Sequence, residues 1–232
     1  AMINRLLAGG HAVESVVISA SAVLSDWARG VIETAAPETR YELEPGLYRE
    51  LSDRDDPSEL VVVARRPERE LPEPESGPAL VVVLDRPMSP GNLGSAIRSC
   101  DAFGVDAVVV AGHAADLWDP QAIRASLGAV FTTSVVHEPS SEALVGWINA
   151  MRRANPRVRV VGTDSGGSAS VDDHTLRPPV VLVFGNEATG LSQTLRGAVD
   201  EIASIPMRGS VDSLNLAAAV SIVVFAVSSR DR

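Results

Sequence analysis

Residues 79–112 read ALVVVLDRPMSPGNLGSAIRSCDAFGVDAVVVAG: an apolar run, a loop with proline and glycine, a helical stretch and a second apolar run. The two runs are β-branched and nearly continuous, without the polar alternation of a half-exposed strand. Strands of this kind are buried on both faces, which predicts an α/β fold with a parallel sheet flanked by helices. Similar runs recur downstream as FTTSVV, VRVVG, PVVLVFG and EIASIP, with helical stretches between them. Ligands of such sheets bind outside the carboxyl ends of the strands, so the polar residues after each run are the candidates for chemistry.

Upstream, residues 66–78 (RPERELPEPESGP) are rich in proline and acid with little to bury, and read as a linker. This divides the chain into a small α/β domain at 1–66, a linker at 67–78 and a larger domain at 79–232. In the first part VESVVIS and ELVVVAR read as short buried strands, and SAVLSDWARGVIETA as a helix. The chain opens on the helix-like MINRLLAGG with no strand before it, so an upstream piece is expected to be missing.

Composition excludes several functions. The chain has 45% hydrophobic and 22% charged residues, the balance of a globular protein with a core. No stretch approaches the roughly 20 apolar residues of a membrane span, and the start lacks the features of a signal peptide, so a cytoplasmic location is expected. One cysteine, Cys100, excludes an internal disulfide framework, and His11, His113, His137 and His174 lack metal-ligand spacing, so no metal site is expected. All 20 basic residues are arginine, which rules out a phosphate loop or Schiff base built on lysine. A net charge of -10 argues against coating nucleic acid by bulk electrostatics. Any RNA contact is expected to be local, with Arg65, Arg66 and Arg69, or Arg152, Arg153, Arg157 and Arg159, as candidates beside the simpler reading of solvated faces.

Three strand-to-loop transitions carry unusual residues. In residues 86–104 a loop with Pro90, Gly91 and Asn92 turns into a helix that carries Arg98, which can face an anion or stand solvated. The glycine spacing there does not give a dinucleotide fingerprint, against a nucleotide-binding oxidoreductase. In VLVFGNEATGLS (181–192) a buried strand stops at Gly185 and leaves Asn186 and Glu187 able to bind hydroxyls, amines or a cation; taken alone, helix capping by Asn186 or Ser192 is the better account of the segment. In residues 205–227 a strand end and loop lead to a strongly apolar helix, with Asp212 or Ser213 as a plausible N-cap.

Together and in this order the three segments resemble the signature motifs of the SpoU (TrmH-like) family of RNA 2′-O-ribose methyltransferases, in the SPOUT superfamily. The first motif is matched by Asn92, Gly94, Arg98, Phe103 and Gly104. The second is matched by Gly185, Glu187, Gly190 and Leu191, and the third by Ile205, Pro206, Met207, Ser213, Leu214 and Asn215. The likeness covers roughly residues 79–229.

The resemblance implies a C-terminal trefoil knot, S-adenosylmethionine as cofactor and a homodimer built around the knot. It places Gly185, Ile205 and Leu214 against the cofactor, with Met207, Asn215 and Thr163 close by. It makes Arg98 essential for catalysis, facing the partner's pocket, with Asn92, Glu187, Ser213 and Asn215 orienting it, the ribose and the loops. Arginine stays charged to a pKa above about 12, so anchoring a phosphate or stabilising the forming alkoxide suits Arg98 better than acting as a free base. The N-terminal part resembles, more weakly, a small RNA-binding domain carried by rRNA-directed members, which favours rRNA over tRNA. A tRNA-directed enzyme and a catalytically silent RNA-binding or ribosome-assembly factor remain as alternatives.

Overall fold

A computed structural model describes residues 2–52, 56–75, 77–171 and 176–229; His174 lies outside these ranges. The chain forms two compact units, 1–68 and 69–232. In the first, α1 (Met2–Ala8), β1 (Val13–Ser19), α2 (Asp26–Ala35), β2 (Thr39–Leu43), α3 (Pro45–Ser52) and β3 (Val61–Ala64) follow one another. β1 is central, parallel to β2 and antiparallel to β3. The helix expected over residues 21–35 begins only at Asp26, because the Ser25 side chain caps it by accepting from the Ala28 N–H. β2 (TRYEL) and α3 escape a reading by apolar runs: β2 is almost wholly exposed, and α3 has Tyr48 as its buried residue.

The second unit runs β4 (Leu80–Asp85), α4 (Pro90–Ala102), β5 (Ala107–Ala111), α5 (Pro120–Ala125), α6 (Ala129–Thr132), β6 (Val135–Glu138), α7 (Ser141–Ala154), β7 (Arg159–Thr163), β8 (Ala169–Ser170), β9 (Val180–Phe184), α8 (Gln193–Arg196), β10 (Glu201–Ser204) and α9 (Leu216–Ser228). The strands form a parallel sheet in the order β6-β5-β4-β9-β7-β10-β8. Every residue of β4, β5 and β9 is buried, as their unbroken apolar runs require. Val81, Val83, Val109, Val181 and Val183 meet Leu144, Trp147, Ile148 and Met151 of α7 on one face. The alternate positions point to the other face, left for the apolar sides of α4 and α9. The run FTTSVV is only partly strand: Phe131 and Thr132 close α6, and pairing starts at Val135.

The proline-rich stretch is not free chain along its whole length. Arg69 donates to the carbonyls of Phe131 and Thr133, Leu71 packs against the core, and the Trp147 Nε1–H donates to the Pro72 carbonyl at 2.7 Å. Burial lowers the Arg69 pKa. Other arginines offered above as RNA contacts are also engaged: Arg65 with Glu14 and Glu38, Arg152 with Asp200, and Arg159 with Glu201.

Candidate active site

At the carboxyl ends of β7, β9 and β10 the chain leaves the sheet three times, and the three exits enclose a cleft of about 240 Å³. Thr163, Asp164 and Ser165 form the first wall; Phe184, Gly185, Asn186, Glu187 and Gly190 the second; Ala203, Ile205, Met207, Ser213 and Leu214 the third, closed by Leu216 and Ala219 of α9. Of the residues the resemblance assigns to the cofactor, Thr163, Gly185, Ile205, Met207 and Leu214 line this cleft. Asn215 stands next to it as the N-cap of α9, its Oδ1 accepting from the Ala217 and Ala218 N–H groups. That cap is Asn215, not Asp212 or Ser213.

The second wall is a tight hairpin. The backbones of Asn186 and Gly190 exchange both N–H···O bonds, and Asn186 Oδ1 accepts from the Ala188 and Thr189 N–H groups. A Cβ on Gly185 would stand 2.4 Å from the Gly190 carbonyl carbon, so the fold-back admits only glycine there. Ser192, not Asn186, caps the helix that follows.

Asn92 of α4 reaches this wall from outside the cleft. Its Nδ2 donates to Glu187 Oε1 at 2.9 Å, and Asn215 Nδ2 donates to Asn92 Oδ1 at 2.8 Å. One chain of three polar side chains thus joins α4, the hairpin and the cap of α9. Asn92 sits in the first turn of α4 because Ser89 caps that helix and Pro90 opens it. Arg98 lies six residues on, about 9 Å along the helix axis and roughly 120° round it. It is exposed, outside the cleft, and makes no hydrogen bond or ion pair with a described residue.

Asp164, Phe184 and Leu216 also line the cleft and were not among the expected site residues. Asp164 had a signal, since it is the first charged residue after the VRVVG run. The Gly166 N–H bonded to it at 3.0 Å holds its pKa down, with further help from Arg196 at 2.5 Å, against the upward pull of partial burial. Cys100, buried in α4, has its thiol pushed up to about 12 by that burial, so it is inert. Among the described residues no group of acidic, histidine or cysteine side chains is arranged to hold a metal, and no helix is long and apolar enough to cross a membrane.

A parallel α/β sheet with an apolar, polar-edged cleft at its carboxyl ends is the arrangement in which proteins of this class bind small-molecule ligands. Residues 79–225 match the SpoU rRNA Methylase family, and the chain belongs to that family. It is 40% identical over 218 residues to a 23S rRNA (uridine(2479)-2′-O)-methyltransferase of Streptomyces viridochromogenes, covering 93% of this chain and 76% of that one. The crystal structure of the SpoU methyltransferase AviRb from the same organism, in complex with S-adenosylmethionine, superposes with a TM-score of 0.86 at 36% identity. That match covers 99% of this chain and 87% of AviRb. An uncharacterized tRNA/rRNA methyltransferase of Mycobacterium ulcerans is 36% identical over 159 residues, 68% of this chain; the chain spans about half, 49%, of that relative's length. The expectations of a parallel sheet flanked by helices, of an RNA methyltransferase and of S-adenosylmethionine as cofactor are borne out by the family and these relatives.

Proposed function

We propose that this chain methylates the 2′-hydroxyl of a ribose in large-subunit rRNA, working in the cytoplasm as a homodimer with a trefoil knot at its C-terminal end. The observation that carries the reading is the Asn215–Asn92–Glu187 chain, which gathers all three motif segments at one cleft. The cleft suits a sulfonium nucleoside. Phe184, Ile205, Met207 and Leu214 offer apolar walls, and the charged residues that line it, Asp164 and Glu187, are both carboxylates.

When bound, S-adenosylmethionine supplies an electrophilic methyl group on a positively charged sulfur. Thr163, Gly185, Ile205, Met207, Leu214 and Asn215 hold the cofactor in this reading, and Asn92, Glu187 and Ser213 fix the loops and the ribose. Holding two reactants together is worth roughly 7 to 11 kcal/mol in favourable cases, so positioning supplies much of the acceleration. Arg98 anchors the phosphate beside the reacting ribose or stabilises the oxygen as its proton leaves, both tasks for a permanently charged fork.

Arg98 stands outside the cleft of its own chain, which supports assigning it to the cleft of a second copy. The last helix supports a dimer as well: α9 buries Leu216, Val220, Val223, Val224 and Val227, yet leaves Phe225 57% exposed and Ile222 41% exposed. The knot is supported by family membership and by β9, late in sequence, sitting between β4 and β7. The small unit at 1–66 is assigned to gripping RNA, joined through 67–78 to the catalytic domain at 79–232.

Transfer of tritium from methyl-labelled cofactor to purified rRNA and, separately, to tRNA tests the reading. Label in a large-subunit rRNA ribose is expected. Label in tRNA alone would move the substrate assignment, and cofactor binding without transfer to either would favour a silent assembly factor.

A further inference from the structure

Asp85 is the one charged residue among the described residues that is buried, 1% exposed, and no step above uses it. It ends β4, directly under the second wall of the cleft. Its Oδ2 accepts from the Ser192 N–H at 2.6 Å, and its Oδ1 from Arg86 Nε at 2.9 Å. An unpaired carboxylate at this depth is strongly disfavoured, so the Arg86 guanidinium is what makes the site tolerable.

Arg86 does more than neutralise its neighbour. It adopts φ 53°, a left-handed conformation costly for a long side chain. In that pose its Nη2 donates to the Gly190 carbonyl at 3.0 Å and its Nη1 to Thr189 Oγ1 at 3.4 Å. Its own carbonyl accepts from Asn186 Nδ2 at 2.7 Å. The end of β4 therefore grips the hairpin at residue 186, at 189–190 and at 192, and between those points stands Glu187, the partner of Asn92. Local sequence explains none of this, because the two segments are about 100 residues apart.

We infer that Asp85 and Arg86 form a positioning clamp that holds the 186–190 hairpin in its cofactor-binding shape, with Arg86 acting through the hairpin and not on the reacting groups. This rests on the cleft being the cofactor site. The bonds from Arg86 to Gly190 and Thr189 tie the hairpin tip, so losing them lets Asn186, Glu187 and Gly190 drift from the cleft wall.

The test pairs hydrogen exchange over residues 186–192 with calorimetric affinity for S-adenosylmethionine, in wild type, Arg86→Ala, Arg86→Lys and Leu214→Arg. For Arg86→Ala we expect at least tenfold faster exchange in the hairpin and roughly tenfold weaker cofactor binding. With cofactor saturating, its binding draws the hairpin and Glu187 back into place, so turnover should stay within about threefold of wild type. Arg86→Lys, which keeps the charge without the fork, is expected to fall between the two. Should Arg86→Ala fail to fold, Arg86→Lys decides alone: wild-type exchange and affinity in it overturn the clamp. In a folded Arg86→Ala, unchanged affinity overturns the clamp, and so does weaker binding with an undisturbed hairpin, because Arg86 would then touch the cofactor itself. Failure of the cleft assignment is seen separately: Leu214→Arg would bind cofactor as well as wild type, and the clamp would lose its purpose with it.

Discussion

Arg98 and Asn92 share one helix and serve different places, because six residues of α-helix turn a side chain by roughly 120°. Asn92 is locked between Glu187 and Asn215, whereas Arg98 is held by nothing described in its own chain. A solvated arginine contributes little to stability, so its removal should spare the fold. Arg98→Ala is expected to keep the wild-type melting temperature and cofactor affinity while losing at least about a hundredfold in methyl transfer, the order seen when one group stabilising a forming oxyanion is removed. Arg98→Lys should fail too, since a point charge does not replace a planar fork. Wild-type turnover in either variant, measured with labelled cofactor and total rRNA, would refute the assignment.

Asn215 does two jobs at the start of α9, and its two ends separate them. Oδ1 caps the helix, and Nδ2 donates to Asn92. The Asn215→Asp change keeps a capping oxygen at a helix N-terminus that favours negative charge, yet leaves no hydrogen to donate to Asn92. Turning the Asn92 amide round does not help, for its oxygen would then face Glu187. This variant is therefore expected to unfold in urea within about 0.5 kcal/mol of wild type, and to lose at least about tenfold in methyl transfer. Asn215→Ala should lose both activity and about 1 kcal/mol of stability. Full activity in Asn215→Asp would show that the tie between α4 and α9 is incidental.

The proposed dimer makes demands that single chains do not. Phe225, exposed on α9 and tilted against Phe103 at 5.5 Å, would be buried in it, so Phe225→Glu should yield a folded monomer by light scattering, with transfer abolished. An inactive variant that stays dimeric would dissociate α9 from the interface. Shared sites have a sharper signature. Mixing Arg98→Ala subunits with Leu214→Arg subunits gives hybrid dimers in which one composite site carries both lesions and the other carries neither. Random pairing then restores about a quarter of wild-type activity. If exchange of subunits is demonstrated and the mixture remains as inactive as its parents, each chain holds a complete site.

Much of this molecule is legible in its chain. Unbroken runs such as LVVVLD and VVLVF specify a buried parallel sheet, because a strand covered on both faces has no polar positions to show. The motif residues Asn92, Gly185, Glu187, Leu214 and Asn215 could be named as candidates because together, in order, they match the motifs of the family the chain resembles. Other features were not legible: β2 is exposed and carries no apolar run, and α3 turns inward mainly Tyr48. Arg69 and Leu71, in a stretch that reads as spacer, anchor to the second unit. Only the tertiary structure reveals that Asp85 and Arg86 hold a hairpin about 100 residues away, or that Asn92 bridges Glu187 and Asn215. Periodicity records which side of an element is buried, and a hydrogen bond between distant segments leaves no trace in the local pattern of either.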